Sequence, residues 1–282
     1  MNRRPLPVLF SALLFGSLCA LGAGARQASP GVPSQEIEAD DGSERRAKAT
    51  IQRLLEAQGG QERVEALKGF EFRLIDVDVQ PPATEGAAPV EIPAQPIQVA
   101  LWSDPEDRRV RLAETIDLGE GQQELVRVAA QGGVLVTVDG EPRASESLAE
   151  EARAKALELL LVLDLVRGVL DGQVIAQDDG RRTRDGVEYD CLQLRFPEGR
   201  GVLDTFRIYV DEAGLVRRCD HFDGLTGLRK ATLELHDYLE VAQVQLPQRI
   251  DFFDREFELQ RYWKLVGLAV DPEWPAGHFE LE

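Results

Sequence analysis

Histidine and cysteine are the scarce reactive residues of this 282-residue chain, with three of each, and one stretch brings two of them together. Cys219-Asp220-His221-Phe222-Asp223 is the densest polar cluster in the sequence. A cysteine and a histidine two apart on a strand face the same side, which is the placement a shared metal would need. No second Cys or His pair stands at ligand spacing, so the cluster reads first as a strand end running into a turn at Asp223-Gly224. His236 sits beside Asp237; strand alternation turns the two to opposite faces and leaves His236 on the surface. The chain has no G-x-S-x-G elbow, no P-loop, no G-x-G-x-x-G after a strand and no H-E-x-x-H. Past residue 25 its serines are Ser29, Ser34, Ser43, Ser103, Ser145 and Ser147, most in leader or cap positions. Carboxylates are so abundant that a pair such as Glu256 and Glu258 marks nothing by itself. The expectation is a protein without catalytic residues, metal or cofactor, with a hydrolase centred near His221 as an alternative.

The apolar residues say more. Trp102 is out of phase with Ile97, Val99 and Leu101, and Trp263 is out of phase with Tyr262, Lys264 and Val266. Strands with apolar groups on both faces need two apolar surroundings. One is a helix, and the other is a ligand cavity, a partner or a further core layer. Residues 156–163 (ALELLLVL) are apolar almost all round a helix and are broken only by Glu158, so that helix is expected to be buried on most sides. The candidate ligand-binding residues are Trp102, Leu159, Leu163, Phe206 and Trp263.

These residues need a scaffold of helices and strands. A helix is expected from Ser43, with Ile51, Leu54 and Leu55 at helical spacing and Gly59-Gly60 as its stop. A short helix over 61–67 follows. Strands are expected at 70–79, 97–103, 109–116, 124–129 and 134–138, with the proline-rich segment 80–96 as an ordered loop or flap. Ser147-Leu-Ala-Glu150 has the form of a capping box and predicts one long helix to about Leu170. A second run of strands is expected at 173–177, 187–196, 205–210, 215–222, 231–241, 247–253 and 257–268. Asp211-Glu212-Ala213-Gly214 reads as a tight hairpin turn with glycine in the left-handed position. Their spacing suggests an antiparallel meander in one sheet. A meander places one whole strand between Cys191 and Cys219, about 9.6 Å apart at two strand spacings, beyond the reach of a disulfide.

At the N-terminus, Arg3 and Arg4 precede an uncharged stretch over 6–21, and Ala23-Gly24-Ala25 supplies an A-x-A site: a secretory signal peptide. Leu18 stands where a lipoprotein signal needs a small residue before Cys19. Residues 26–42 lack apolar periodicity and read as a flexible leader. The whole chain carries a formal charge of −18, with 50 acidic residues against 32 basic ones. An acid excess of that size argues against binding nucleic acid or an anionic membrane.

Several stretches together are similar to a known family. They are Ala57-Gln58-Gly59-Gly60-Gln61-Glu62-Arg63 with Leu67, then Asp185-Gly186-Val187-Glu188-Tyr189-Asp190-Cys191-Leu192, then Tyr209-Val210-Asp211 with Gly214-Leu215-Val216. Asp237-Tyr238 with Val241, Leu246-Pro247 and Ile250 completes the pattern. In these turn and core positions the chain resembles the periplasmic LolA/LolB-type lipoprotein carriers and the related sensor domain of RseB, over roughly residues 45–282. The resemblance implies an α+β fold: a strongly curved antiparallel half-barrel sheet wrapped around a central apolar helix, with an N-terminal helix. It also implies an apolar cavity between sheet and helix that binds acyl chains or hydrophobic peptide segments, and no cofactor. The expected organisation is a signal peptide (1–25), a leader (26–42) and one domain (43–282). The expected function is that of an exported, periplasmic, monomeric and non-enzymatic protein. Its expected partner is a hydrophobic small molecule or an acylated protein, with an envelope protein as a further possibility. A sensor or protein-interaction module of the same fold is the other alternative.

Overall fold

The computed structural model describes residues 41–82, 84, 86–104, 107–117, 121–130, 133–196 and 204–280. The expected signal peptide and nearly all of the expected leader lie outside the described residues. Two helices open the described chain, α1 (Asp41–Ala57) and α2 (Gln61–Ala66). Seven strands follow: β1 (Gly69–Gln80), β2 (Val90–Pro93), β3 (Ile97–Trp102), β4 (Arg109–Asp117), β5 (Gln122–Ala130), β6 (Gly133–Val138) and β7 (Glu141–Pro142). Next come α3 (Glu146–Leu163) and α4 (Leu165–Leu170). The chain ends in β8 (Ile175–Arg184), β9 (Val187–Arg195), β10 (Thr205–Val210), β11 (Val216–Phe222), β12 (Arg229–Val241), β13 (Val244–Phe253) and β14 (Leu259–Val270).

All the strands join one antiparallel sheet in the order β7-β6-β5-β4-β3-β1-β14-β13-β12-β11-β10-β9-β8, with β2 paired to β1 off this path. Each half is a meander of neighbouring hairpins, which needs only short turns. The halves meet where β1 pairs with β14, Phe70 opposite Val270 and Asp78 opposite Arg261. Period-two alternation sorts the faces. On β1, Phe70, Phe72 and Leu74 are fully buried and pack with Ala152, Ala156, Leu159 and Leu163 of α3. On the other half Leu192, Leu194, Phe206 and Ile208 pack with Leu54 of α1 and Leu165 of α4. The result is a large α+β half-barrel whose inner face holds the helices. Among the described residues no helix is long and apolar enough to cross a membrane.

Gly214 holds the β10–β11 turn at φ +78°, and a Cβ there would meet the Arg53 carbonyl at 2.3 Å, so glycine serves both the turn and the close approach of α1. The structure departs from expectation in five places. Part of the proline-rich segment is the short strand β2, fastened by Tyr262 Oη donating to Glu91 at 2.8 Å. The cap of α3 is Ser145, whose Oγ accepts from Leu148 N at 3.4 Å, not Ser147. The long helix breaks at Asp164, whose backbone leaves the helical region at φ −115°, ψ 12°. β8 runs past its apolar start through Asp178–Arg184, a stretch without strand periodicity. It is an edge strand whose charges pair with neighbours, Arg46 with Asp178 at 2.9 Å and Arg181 with Asp190 at 2.8 Å. The last strand starts at Leu259 because Phe257 sits in the left-handed region at φ +68°.

Cys191 and Cys219 are free thiols. The register strengthens the argument from strand spacing. Cys191 lies opposite Tyr209 and Cys219 opposite Ile208, consecutive residues of β10, so the two thiols project from opposite faces of the sheet. Burial raises Cys191 to about 11 and Cys219 to about 12, which keeps both protonated. Maleimide labelling in denaturant without reductant is therefore expected to find both residues reactive. A peptide map with the two linked would contradict the sheet order.

Candidate functional site

Helices α3 and α4 run along the trough of the half-barrel, and the space on their two flanks is not filled. On the side of β4 and β5 is a cavity of about 280 Å³, walled by Val110, Ala129, Leu157, Leu160 and Val174 among others. On the side of β10–β13 is a smaller one of about 60 Å³, walled by Val162, Val166, Phe206, Ile208 and Leu235. Leu161 and Leu165 border both. This explains why Leu160, Leu161 and Val162 are only partly buried although they belong to the apolar middle of α3. The expected helix, buried on most sides, is thus fully packed only along its line of contact with the sheet.

Polar groups join the apolar ones in the lining of each cavity. In the larger, Arg108 Nε donates to Asp164 Oδ2 at 2.5 Å and its Nη2 donates to Asp171 at 2.8 Å. Both Arg108 and Asp164 are buried. The break between α3 and α4 is thus tied to the loop before β4. Arg167 of α4 donates to the carbonyls of Val64 and Leu67, which holds α4 against α2. Burial drives the Asp164 carboxyl up to about 6, against the pull of the Arg108 guanidinium. In the smaller cavity, His221 is buried, stacks on Phe206 at 4.7 Å and shares a 2.6 Å hydrogen bond between Nε2 and Asp204 Oδ2. Burial lowers its pKa more than Asp204 raises it. The Asp223 carboxylate accepts from Leu225 N and Thr226 N, which is the turn expected at the strand end, but His221 itself lies inside the fold.

These two groups make opposite contributions to stability below neutral pH. Asp164 binds its proton more tightly folded than unfolded, so its contribution grows as pH falls from about 6 towards 4 and is lost as pH rises through 6. His221 binds its proton less tightly folded, so its contribution is present above about 6.5 and declines as pH falls below it. Comparing Asp164→Asn with wild type isolates the first effect. The wild type is expected to gain on the variant as melts move from pH 7 to pH 5. Melting curves whose separation does not change with pH would refute the assignment.

Of the sequence candidates, Leu163 and Phe206 both line the smaller cavity. Leu159 and Trp263 are fully buried in the packed core between α3 and the sheet instead, Trp263 meeting Phe252 at 4.7 Å. Trp102 stands apart from the helix. Its ring packs on Trp274 at 5.5 Å and Phe279 at 6.0 Å, under the segment that follows β14. Sequence reasoning missed Leu160, Leu161, Arg108 and Asp164. The one available signal was Asp164, an aspartate in otherwise apolar company; Arg108 stands among other charged residues, and their 56-residue separation hides the pairing. Among the described residues no group of three His, Cys, Asp or Glu side chains is placed to hold a metal ion.

A half-barrel sheet with a broken helix lying along its trough, and apolar space on both sides of that helix, defines a class of hydrophobic-cavity folds. No family model matches the chain, and no curated protein matches it. Among solved structures, a LolA superfamily protein from Nitrosomonas europaea is similar at a TM-score of 0.53 and 14% identity, over 83% of this chain and 97% of that one. A DUF1329 family protein from Desulfovibrio piger is similar at a TM-score of 0.47 and 11% identity, also over 83% and 97%. The fold is that of the LolA superfamily, as the turn and core positions of the sequence suggested.

Proposed function

We propose that this chain is an exported, periplasmic, non-enzymatic binding protein that takes an apolar ligand, an acyl chain above all, between the curved sheet and helices α3 and α4. The observation that carries this reading is the open space beside Leu160, Leu161 and Val162, about 280 and 60 Å³ on the two flanks of one helix. An apolar chain entering there would gain about 0.8 kcal/mol per buried methylene. An acylated protein presents the same chemistry as a free lipid. The region 43–282 acts as one binding domain, and residues 1–25 serve to export it. A hydrolase at His221 is disfavoured because its Nδ1, the nitrogen that Asp204 leaves free, is buried and meets no hydrogen-bonding nucleophile among the described residues, and the neighbouring Cys219 thiol stays protonated. A protein-interaction module is the second reading, favoured by Leu225 and Leu228 on the β11–β12 hairpin, 79% and 60% exposed.

Native mass spectrometry of protein released from the envelope tests the proposal. The expected result is an N-terminus within a few residues of Arg26 and a lipid-sized adduct that denaturation removes. Retention of Met1 would overturn export. An adduct-free protein that also fails to take up N-phenyl-1-naphthylamine, an uncharged apolar fluorophore, would overturn the cavity.

A further inference from the structure

Where the two cavities on the flanks of the helices come together, the wall between them is built from side chains. Leu161 and Leu165, one helical turn apart across the break between α3 and α4, line both cavities. On the sheet side, Phe196 lines the larger cavity and Phe206 the smaller, and the two rings pack edge to face at 6.0 Å. All four belong to one apolar cluster, Leu165 and Phe206 as buried members and Leu161 and Phe196 as partly buried ones packed against them. The aromatic half of the wall is braced, since Phe206 is also stacked on His221 at 4.7 Å. None of the four side chains carries a polar atom, and the apolar lining resumes behind them with Val162 and Ile208 in the smaller cavity.

We infer that Leu161 is a specificity-determining residue: with Leu165 and the Phe196–Phe206 pair it ends the larger cavity, and so sets the longest alkyl chain the site accepts. A chain lying along Leu157 and Leu160 gains with each added methylene until its end meets this wall. A further methylene then has two places to go. It stays in water, which gains nothing, or it forces apart side chains that are already packed, which costs stability. The smaller cavity, about 60 Å³, lies on the far side of the wall and is closed to the chain while Leu161 is full length. Shortening Leu161 joins that space to the 280 Å³ of the larger one. Leu165 is the deeper member of the wall, 6% exposed, and it packs with Leu54 of α1 and Leu192 of the sheet, so it serves the core as well. Leu161 is the member that can be trimmed without opening that core. This inference rests on the apolar-ligand reading above and adds to it a limit on chain length.

Displacement of N-phenyl-1-naphthylamine by the straight-chain primary alcohols from hexanol to tetradecanol is the test; their uncharged head keeps the acidity of the protein out of the comparison. With the wild type, affinity should rise about fourfold per methylene and then stop rising at one chain length. In Leu161→Ala the rise should continue for at least two further methylenes. Leu157→Ala removes the same three carbons from the larger cavity's lining without touching the wall, and its limit should stay within one methylene of wild type. A wild-type affinity that climbs unbroken to tetradecanol would overturn the limit while leaving the apolar site intact. A limit that moves no further in Leu161→Ala than in Leu157→Ala would overturn the part given to Leu161. Failure of the fluorophore and of every alcohol to bind would overturn the apolar-ligand reading itself.

Discussion

Leu159→Asp is expected to leave no folded protein, while the same substitution one residue later, Leu160→Asp, leaves a weakened but folded one. Leu159 is fully buried in the main core, where α3 meets Phe72, Leu101 and Trp263 across the sheet. An aspartate there would be a charge without partner or water, a cost of several kcal/mol against a total stability of only ~5–15 kcal/mol. Leu160 is partly buried and borders the larger cavity, so a polar group there can reach space that is not packed. The alanine variants give the graded form of the same contrast. Leu159→Ala should cost about 2–5 kcal/mol in urea unfolding, because the surrounding core cannot close on the void. Leu160→Ala should cost only about 1 kcal/mol, since the space beside it already exists. Equal losses at the two positions would mean that the helix is packed all round and that the cavity is closed in solution.

The neighbouring residues Leu159 and Leu160 also show where the sequence stopped being readable. ALELLLVL is apolar on every side, so periodicity assigns it to the interior without saying which leucine meets the sheet and which meets a cavity. That choice follows from the rotation of α3, which is set by contacts with strands far away in sequence. The meander, the Gly59-Gly60 stop and the Asp211–Gly214 turn were legible because each depends on a few consecutive residues. β2 was not, since Val90–Pro93 becomes a strand only by pairing with Val77–Gln80 and is exposed throughout. The break at Asp164 was hidden because its partner Arg108 precedes it by 56 residues. Trp102 and Trp263 looked alike as out-of-phase aromatics, yet one faces α3 and the other lies under the chain that follows β14. Phase within a strand distinguishes two faces but does not say what covers either.

Glu158 is the sharpest case, and it leads to the second large expected effect. In the sequence it is merely the residue that interrupts an apolar helix. In the fold it is buried and accepts two hydrogen bonds from Arg261 Nη2, at 2.9 and 3.0 Å, from a strand 103 residues later. Arg261 also donates to Asp76 at 3.2 Å, and Lys155 of α3 reaches the same carboxylate at 3.2 Å. The guanidinium lies over Phe252 at 4.2 Å and Trp263 at 5.1 Å, so its planar face is used as well as its edge. Burial opposes its charge, but Glu158 and Asp76 more than offset that. Arg261→Ala should therefore cost about 3–5 kcal/mol, because it strands the Glu158 carboxylate while Asp76 keeps Lys155. Arg261→Met combined with Glu158→Leu should recover most of that loss, since a buried ion pair replaced by apolar groups of similar volume is often neutral. A double-mutant cycle in urea then gives the coupling. If Arg261→Met and Glu158→Leu prove additive, the two side chains do not hold α3 to the sheet, and the rotation of the helix that places Leu160 beside the cavity must be fixed by apolar packing alone.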